Sequence, residues 1–362
     1  MTQPFGIYVH VPFCRQRCDY CAFVTYVGRD DLHEAYVACL IAELEHFEAR
    51  GLAPATSLYV GGGTPSRVAP ELLGSLISCV DLAPGAEVTV EVNPEDASVA
   101  YLEALAKLGV NRVSMGIQST ARHVLAGLGR PSVDVEPQEL LARVEAAGIE
   151  RCSMDLILGG SGERDEDVLA TLDAMTNGPR RVGHVSCYLL TVEKGTPLSK
   201  DPARHPDDDV LAARYALVDD SLSAAGYGWY EISNWSLPGN EARHNQLYWT
   251  GGNYLGLGVG AHSHVDGTRW WNVANLETYL GRISSSGTAM LGSEQLDDSA
   301  RAFEALGLAL RLATGIDPID GVELSAFDGL LEEHDGRWVL TQRGRLLASD
   351  VTVRLSQAMA ES

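Results

Sequence analysis

Short β-rich runs alternate with longer amphipathic runs from residue 5 onward, which predicts strands over 5–10, 57–60, 87–92, 112–117, 152–158 and 184–190. Between them, 31–49, 69–80, 98–108, 136–147, 164–176 and 207–225 carry the apolar spacing of helices with one buried face. Six such pairs predict an α/β chain: a parallel sheet wrapped by helices, forming an open, partial (β/α)6 TIM-like barrel. Chemistry in that architecture collects where the strands end, in the loops that follow them. The unusual residues fall at those ends. Cys14 follows the first strand, Gly61, Gly62 and Gly63 the second, Asn93 and Pro94 the third, Gln118 the fourth, and Gly159 and Gly160 the fifth. After about residue 235 the pattern turns rich in Gly, aromatics and His, then gives a helix near 298–313 and, over 336–355, the strand and helix of a winged-helix-like unit. The expected division is a core barrel over 1–235, a His- and aromatic-rich segment over 236–293 and a small C-terminal winged-helix-like domain over 294–362.

A chain of 362 residues, 45% hydrophobic and 21% charged, can bury a large core. No stretch reaches the roughly 18 to 20 apolar residues that span a bilayer, so the expected location is cytoplasmic. The formal net charge of −22 opposes any partner held through its phosphates, and nucleic acid is excluded on that ground. Seven cysteines, an odd number, do not suit a disulfide framework. Three crowd into residues 14–21, while Cys39, Cys79, Cys152 and Cys187 are scattered among apolar residues and are expected to be ordinary buried thiols in a reducing compartment.

Cys14, Cys18 and Cys21 stand in a C-x3-C-x2-C spacing. Three thiolates on one short loop can each take one iron of a [4Fe–4S] cubane, leaving the fourth iron open to the amino and carboxylate groups of S-adenosylmethionine (SAM). Zinc is the alternative, although zinc sites more often pair two Cys-x2-Cys halves or add His ligands, and no second half is present. Tyr20 can stack on the adenine or shield the cluster; it can equally just pack the loop. The GGGTPS run at 61–66 lets backbone approach a ligand closely, as a cradle for the methionine end of SAM, or else makes a plain turn. Glu91, Gln118, Arg130 and Asp155 add polar groups at the same rim, where a carboxylate accepts from ribose hydroxyls and a cation holds a carboxylate. Taken singly, each of these four has a structural hydrogen-bonding role as its alternative.

At this point the chain resembles the anaerobic (oxygen-independent) coproporphyrinogen III oxidase family of radical SAM proteins. The runs that carry the resemblance are IYVHVPFCRQRCDYCAF, YVGGGTPS, EVNPE, GVNRVSMGIQS, LGR, HVSCYLLTVEKGTPL and GWYEISNWSLPGNEARHNQLYW followed by LGLGVGAHS, spread over about 6–272. Two features resemble the haem-chaperone (HemW) subfamily more than the oxidase proper. Phe23 stands where the oxidases carry a further cysteine, and His244, Asn245, Tyr248 and Trp249 match a His-Asn-x-x-Tyr-Trp signature. The resemblance implies that Cys14, Cys18 and Cys21 hold the cluster and that Tyr8, Tyr20, Gly61, Gly62, Gly63 and Thr64 surround SAM. It further implies SAM contacts at Glu91, Gln118, Arg130 and Asp155.

A neutral imidazole is a good axial ligand for haem iron, and aromatic rings pack on a porphyrin face. His244 with Tyr248 and Trp249 offers that combination, helped by Tyr254, Trp270 and Trp271; His262 and His264 are rival ligands. The competing reading makes these aromatics the packed seam between barrel and tail. His10 is expected to orient the cysteine loop or meet solvent, and His184 to be structural. The leading expectation is a haem chaperone with cluster, SAM and haem as its cofactors and cargo. Its implied partners are an acceptor haemoprotein, an electron donor such as flavodoxin or ferredoxin, and a peripheral membrane face. The rivals are a coproporphyrinogen oxidase, a radical SAM methyltransferase and a purely structural iron–sulfur module.

Overall fold

The computed structural model describes residues 4–131 and 135–361. Six strands pair in parallel and in chain order: β1 (Phe5–Val11), β2 (Ala55–Gly62), β3 (Leu82–Glu91), β4 (Arg112–Gln118), β5 (Arg151–Leu158) and β6 (His184–Leu189). The helices between them are α1 (His33–Glu48), α2 (Pro70–Ile77), α3 (Val99–Lys107), α4 (Arg122–Gly127), α5 (Pro137–Ala146) and α6 (Asp165–Thr176), with α7 (Asp208–Ala224) after β6. Every predicted strand and helix is present. The addition is α4, too short to display a helical period.

Residues of one parity along these strands, among them Ile7, Val9, Leu58, Val60, Val88, Val90, Val113, Met115 and Met154, are buried in the main apolar core beneath the helices. The other parity is polar: Ser57, Tyr59, Glu87, Glu91, Arg112, Ser114, Ser153, Asp155, His184 and Ser186. Successive side chains of a strand alternate faces, so this second set lines the barrel lumen. Ser57, Glu87, Arg112, Ser114, Ser153, His184 and Ser186 are buried there. The polar half of the alternation therefore faces an enclosed interior, not bulk solvent.

The sheet does not stop at six strands. Past β6 it adds β7 (Gly228–Glu231) and β8 (Asn234–Ser236), both antiparallel. On the other edge β9 (Asn253–Leu257) pairs in parallel with β1, Phe5 opposite Asn253 and Val9 opposite Leu257. From there β10 (His262–Val265), β11 (Thr268–Asn272) and β12 (Met290–Gln295) continue antiparallel, giving a 12-stranded sheet. Helix α8 (Arg243–Trp249) precedes β9, and α9 (Leu276–Ser286) lies between β11 and β12. The remaining elements are α10 (Asp298–Leu310), a hairpin of β13 (Leu331–His334) and β14 (Arg337–Leu340), α11 (Gln342–Leu346) and α12 (Ala348–Glu361). They gather a second apolar cluster around Leu310, Phe327, Trp338, Val351 and Leu355. Among the described residues no helix is long and apolar enough to cross a membrane.

Glu43 on α1 locks the added strands to the barrel. Its carboxylate accepts from Gly258 N (2.8 Å), Asn272 Nδ2 (2.7 Å) and the Tyr279 hydroxyl (2.7 Å). Burial pushes this carboxyl up to about 7. A raised carboxyl favours the protonated fold, so its contribution is full below the unfolded value and is lost as pH rises toward 7. Wild-type unfolding free energy is expected to fall by roughly 2–3 kcal/mol between pH 5 and 8 relative to Glu43→Gln, as urea titrations at each pH would read. Parallel curves for the two proteins would refute this.

Candidate functional site

The loop after β1 carries all three clustered cysteines past a single opening. Cys14, Cys18 and Cys21 line one cavity of about 580 Å³ that runs from the C-terminal ends of the strands down into the lumen. None of the three is in a disulfide. His10 fixes the loop's position: its Nδ1 meets the Tyr8 hydroxyl at 2.9 Å and its Nε2 the Val24 carbonyl at 2.8 Å. The expectation that His10 orients the loop is met; the alternative of solvent contact is not, since His10 is buried.

The glycine run makes that loop possible. A side chain at Gly61 would strike Glu91, one at Gly62 the His10 ring, and one at Gly63 the Pro12 backbone and the Cys14 sulfur. Gly62 also holds φ at +116°, in the region L residues avoid. These glycines thus seat the end of β2 against the cysteine loop and Glu91. Gly62, Gly63 and Thr64 form cavity wall, whereas Gly61 and Tyr8 stand behind it. Thr64 Oγ1 donates to Cys14 Sγ at 3.7 Å.

Four more predicted residues converge on the same wall: Glu91, Gln118, Arg130 and Asp155, with Tyr20 opposite on the loop. Glu91 accepts from the Tyr59 hydroxyl (2.7 Å) and Gly62 N (3.0 Å), and burial pushes its carboxyl up to about 7. Burial likewise raises Asp155, which the Ser114 hydroxyl meets at 3.3 Å. Arg130 reaches Cys18 Sγ at 3.8 Å while its other nitrogen donates to the Gly116 carbonyl and to Asn93 Oδ1. Gln118 holds φ at +65°, and its buried Oε1 has no partner among the described residues. A strained backbone carrying an unpaired acceptor at a cavity wall is the mark of a ligand-facing residue.

The donor set fits an iron–sulfur cluster. Burial pushes the Cys14 thiol up to about 11 and raises Cys21 too, so the thiolate forms need a cation against them. Arg130 supplies part of that charge. Among the described residues no group of three His, Cys, Asp or Glu stands close enough for a single metal ion. Of the four scattered cysteines, Cys39, Cys152 and Cys187 are buried as expected; Cys79 is exposed at the end of α2, a correction to the sequence reading.

The predicted haem residues take a different place. His244 is 1% exposed in the lumen floor, its Nδ1 paired with Ser57 Oγ (2.9 Å) and its Nε2 with the Tyr248 hydroxyl (2.8 Å). Its ring stacks on Tyr59 and meets Tyr248 edge-on, and burial drives its pKa down to about 3. Backbone N–H groups of Arg243 and His244 donate to buried Glu87, which also pairs with Arg151. Helix α8 is therefore a plug in the barrel floor. Trp249 lies under the Arg311 guanidinium at 4.3 Å, joining plug to tail. His244, expected as a haem ligand, has both ring nitrogens hydrogen-bonded here, and the signature packs as a seam between barrel and tail. Its Asn245 alone reaches the cavity. Of the rivals, His264 gives Nδ1 to the Gly252 carbonyl, and His262 is exposed against Trp271. His184, bonded to Ser153 and Tyr230, is structural as expected.

Sequence reasoning missed Arg112, Ser114, Ser186 and Tyr188, all on the cavity wall. Their signal was the polar parity of β4 and β6, legible only once those faces are known to enclose a lumen.

With that geometry established, a comparison with known proteins is direct. The radical SAM superfamily model matches residues 8–175. The chain is 43% identical to the heme chaperone HemW of Mycobacterium tuberculosis H37Rv, over 97% of this chain and 94% of that protein. It is 30% identical to HemW of Bacillus subtilis, over 95% and 97% respectively. The solved coproporphyrinogen III oxidase from Escherichia coli shares the fold, with a TM-score of 0.82 at 21% identity over 97% of this chain and 89% of that one. Similarity of this extent along nearly the whole length, on a barrel with three cysteines at its mouth, places the chain as a member of the HemW family of radical SAM proteins.

Proposed function

We propose that this protein binds haem at the mouth of its barrel cavity and passes it to an acceptor haemoprotein, with a [4Fe–4S] cluster on Cys14, Cys18 and Cys21 and SAM beside it. The observation that carries the reading is the composition of that mouth. Next to the three cysteines, the rings of Tyr20, Phe23 and Tyr188 line the cavity, Phe23 65% and Tyr188 44% exposed. Exposed aromatic rings at an opening offer flat apolar area to a porphyrin face. Relatives named heme chaperone support the cargo.

When bound, a cluster with SAM at its open iron supplies an electron that can break the sulfonium bond. The chain's own residues do the rest. Arg130 balances thiolate charge at Cys18 and offers a cation to a carboxylate. Gln118 Oε1 offers an unpaired acceptor, and Glu91 holds a proton near neutrality that a bound cation would displace.

The test is anaerobic reconstitution followed by haem titration and 5′-deoxyadenosine assay. A haem absorption band is expected at one haem per chain, retained in His244→Ala and weakened about tenfold in Phe23→Ser. Failure of the reconstituted wild type to bind haem would end the proposal. Conversion of coproporphyrinogen III to protoporphyrinogen would move the assignment to an oxidase.

A further inference from the structure

At the deep end of the cavity stands a cation with an unpaired N–H. Arg112, the first residue of β4, is 1% exposed, lines the cavity, and its buried Nε has no hydrogen-bond partner among the described residues. Arg151, half-buried on the neighbouring strand, is matched: it pairs with Glu87 at 3.0 Å. A buried guanidinium with an unpaired N–H carries a desolvation cost, and its planar fork fits a carboxylate with two parallel hydrogen bonds. Around it the wall supplies the Ser114 and Ser186 hydroxyls and the Asn245 amide.

We infer that Arg112, Ser114, Ser186 and Asn245 form a carboxylate-binding floor that receives an acidic arm of the cargo. The inference rests on the haem reading above, since haem carries two propionates. Arg130, beside Cys18, is the cation at the cluster end; Arg112 serves a second carboxylate deeper in the same cavity. Asp155 and Glu91 share the lumen, and burial raises both carboxyls, which weakens their repulsion of an anion. This floor gives Asn245, which lines the cavity, a role that the neighbouring His244, which does not, lacks.

The measurement compares haem with its dimethyl ester, titrated into anaerobically reconstituted wild type, Arg112→Gln and Arg112→Lys. Wild type is expected to bind haem roughly ten- to a hundredfold tighter than the ester, and Arg112→Gln to lose that preference by weakening haem alone. Arg112→Lys is expected to recover part of it. SAM affinity, measured calorimetrically in the same proteins, is expected to hold within about twofold. Equal wild-type affinity for haem and ester overturns the inference, whether or not the variants fold, and leaves haem binding standing. Loss of SAM affinity in Arg112→Gln with the haem preference intact overturns it as well, assigning the floor to the carboxylate of SAM. Absence of any haem binding instead removes the underlying reading.

Discussion

Replacing Cys18 with alanine is expected to lower the iron and sulfide retained after anaerobic reconstitution by at least about tenfold and to abolish any effect of SAM on the cluster's EPR signal. The thiol lies half-buried at the cavity mouth, beside the Arg130 guanidinium. No spare donor stands nearby in the chain: Phe23 occupies the next candidate position, and Cys39, Cys79, Cys152 and Cys187 lie on other elements. Removing one of three ligands exposes a second iron, and a cluster held by two thiolates is readily lost. The fold is expected to survive, because the loop is also held through backbone: Asp19 N donates to the Leu128 carbonyl and Leu198 N to the Asp19 carbonyl. The urea midpoint of cluster-free protein should therefore match wild type. Undiminished iron in the variant would remove Cys18 from the ligand set.

The second large effect concerns how the tail is fastened. Asp219 on α7 receives both guanidinium nitrogens of Arg345 on α11, each at 2.8 Å. It also accepts from Trp235 Nε1 at 2.8 Å and Gln342 Nε2 at 2.9 Å. Arg345 lies over the Trp229 ring at 4.2 Å, and Trp235 is fully buried. Asp219→Ala leaves Arg345 a buried cation and orphans the indole N–H, so a loss of about 3–5 kcal/mol is expected by urea unfolding. Early proteolysis after about residue 295 should accompany it. Burial pushes the Asp219 carboxyl up, but the hydrogen bonds from Arg345 and Trp235 outweigh burial and leave it lowered. A lowered carboxyl stabilises above its unfolded value and loses that contribution as pH falls through its folded value. The tail should therefore loosen in acid, as pH falls below the usual carboxylate value and Asp219 protonates. A change under about 1 kcal/mol in Asp219→Ala would show that the tail is held by its apolar contacts instead.

Much of this was legible residue by residue. The six parallel strands showed in short runs such as Val88–Val92, since a strand packed under helices must put apolar side chains on one parity. The cysteine loop was legible because ligation to one cluster demands sulfurs at short, fixed spacing. The glycine run was legible as a place of close approach. What it approaches was not: Gly61, Gly62 and Gly63 make room for Glu91, His10 and Cys14, which lie 30, 52 and 49 positions away at most.

Strand β9 was hidden for a similar reason. Its sequence, Asn253 to Leu257, is glycine-flanked and reads as loop; it becomes a strand only by pairing with β1, some 250 residues earlier. The His-Asn-x-x-Tyr-Trp run shows the same limit from the side of chemistry. An imidazole among aromatics has the composition of a haem site, yet Ser57 and Tyr248 take both nitrogens of His244.

Local pattern by itself determined the six strand–helix pairs and the three thiol donors, because each depends on neighbours in the chain. Which polar residues face solvent and which face an enclosed lumen was decided by the curved sheet and the plug packed against its polar face. That packing turned Arg112 into a buried cation and Asn245 into cavity wall, and it sealed His244 in the floor. Burial sets the cost of a charge or an unpaired nitrogen, and burial is a property of the assembled barrel alone.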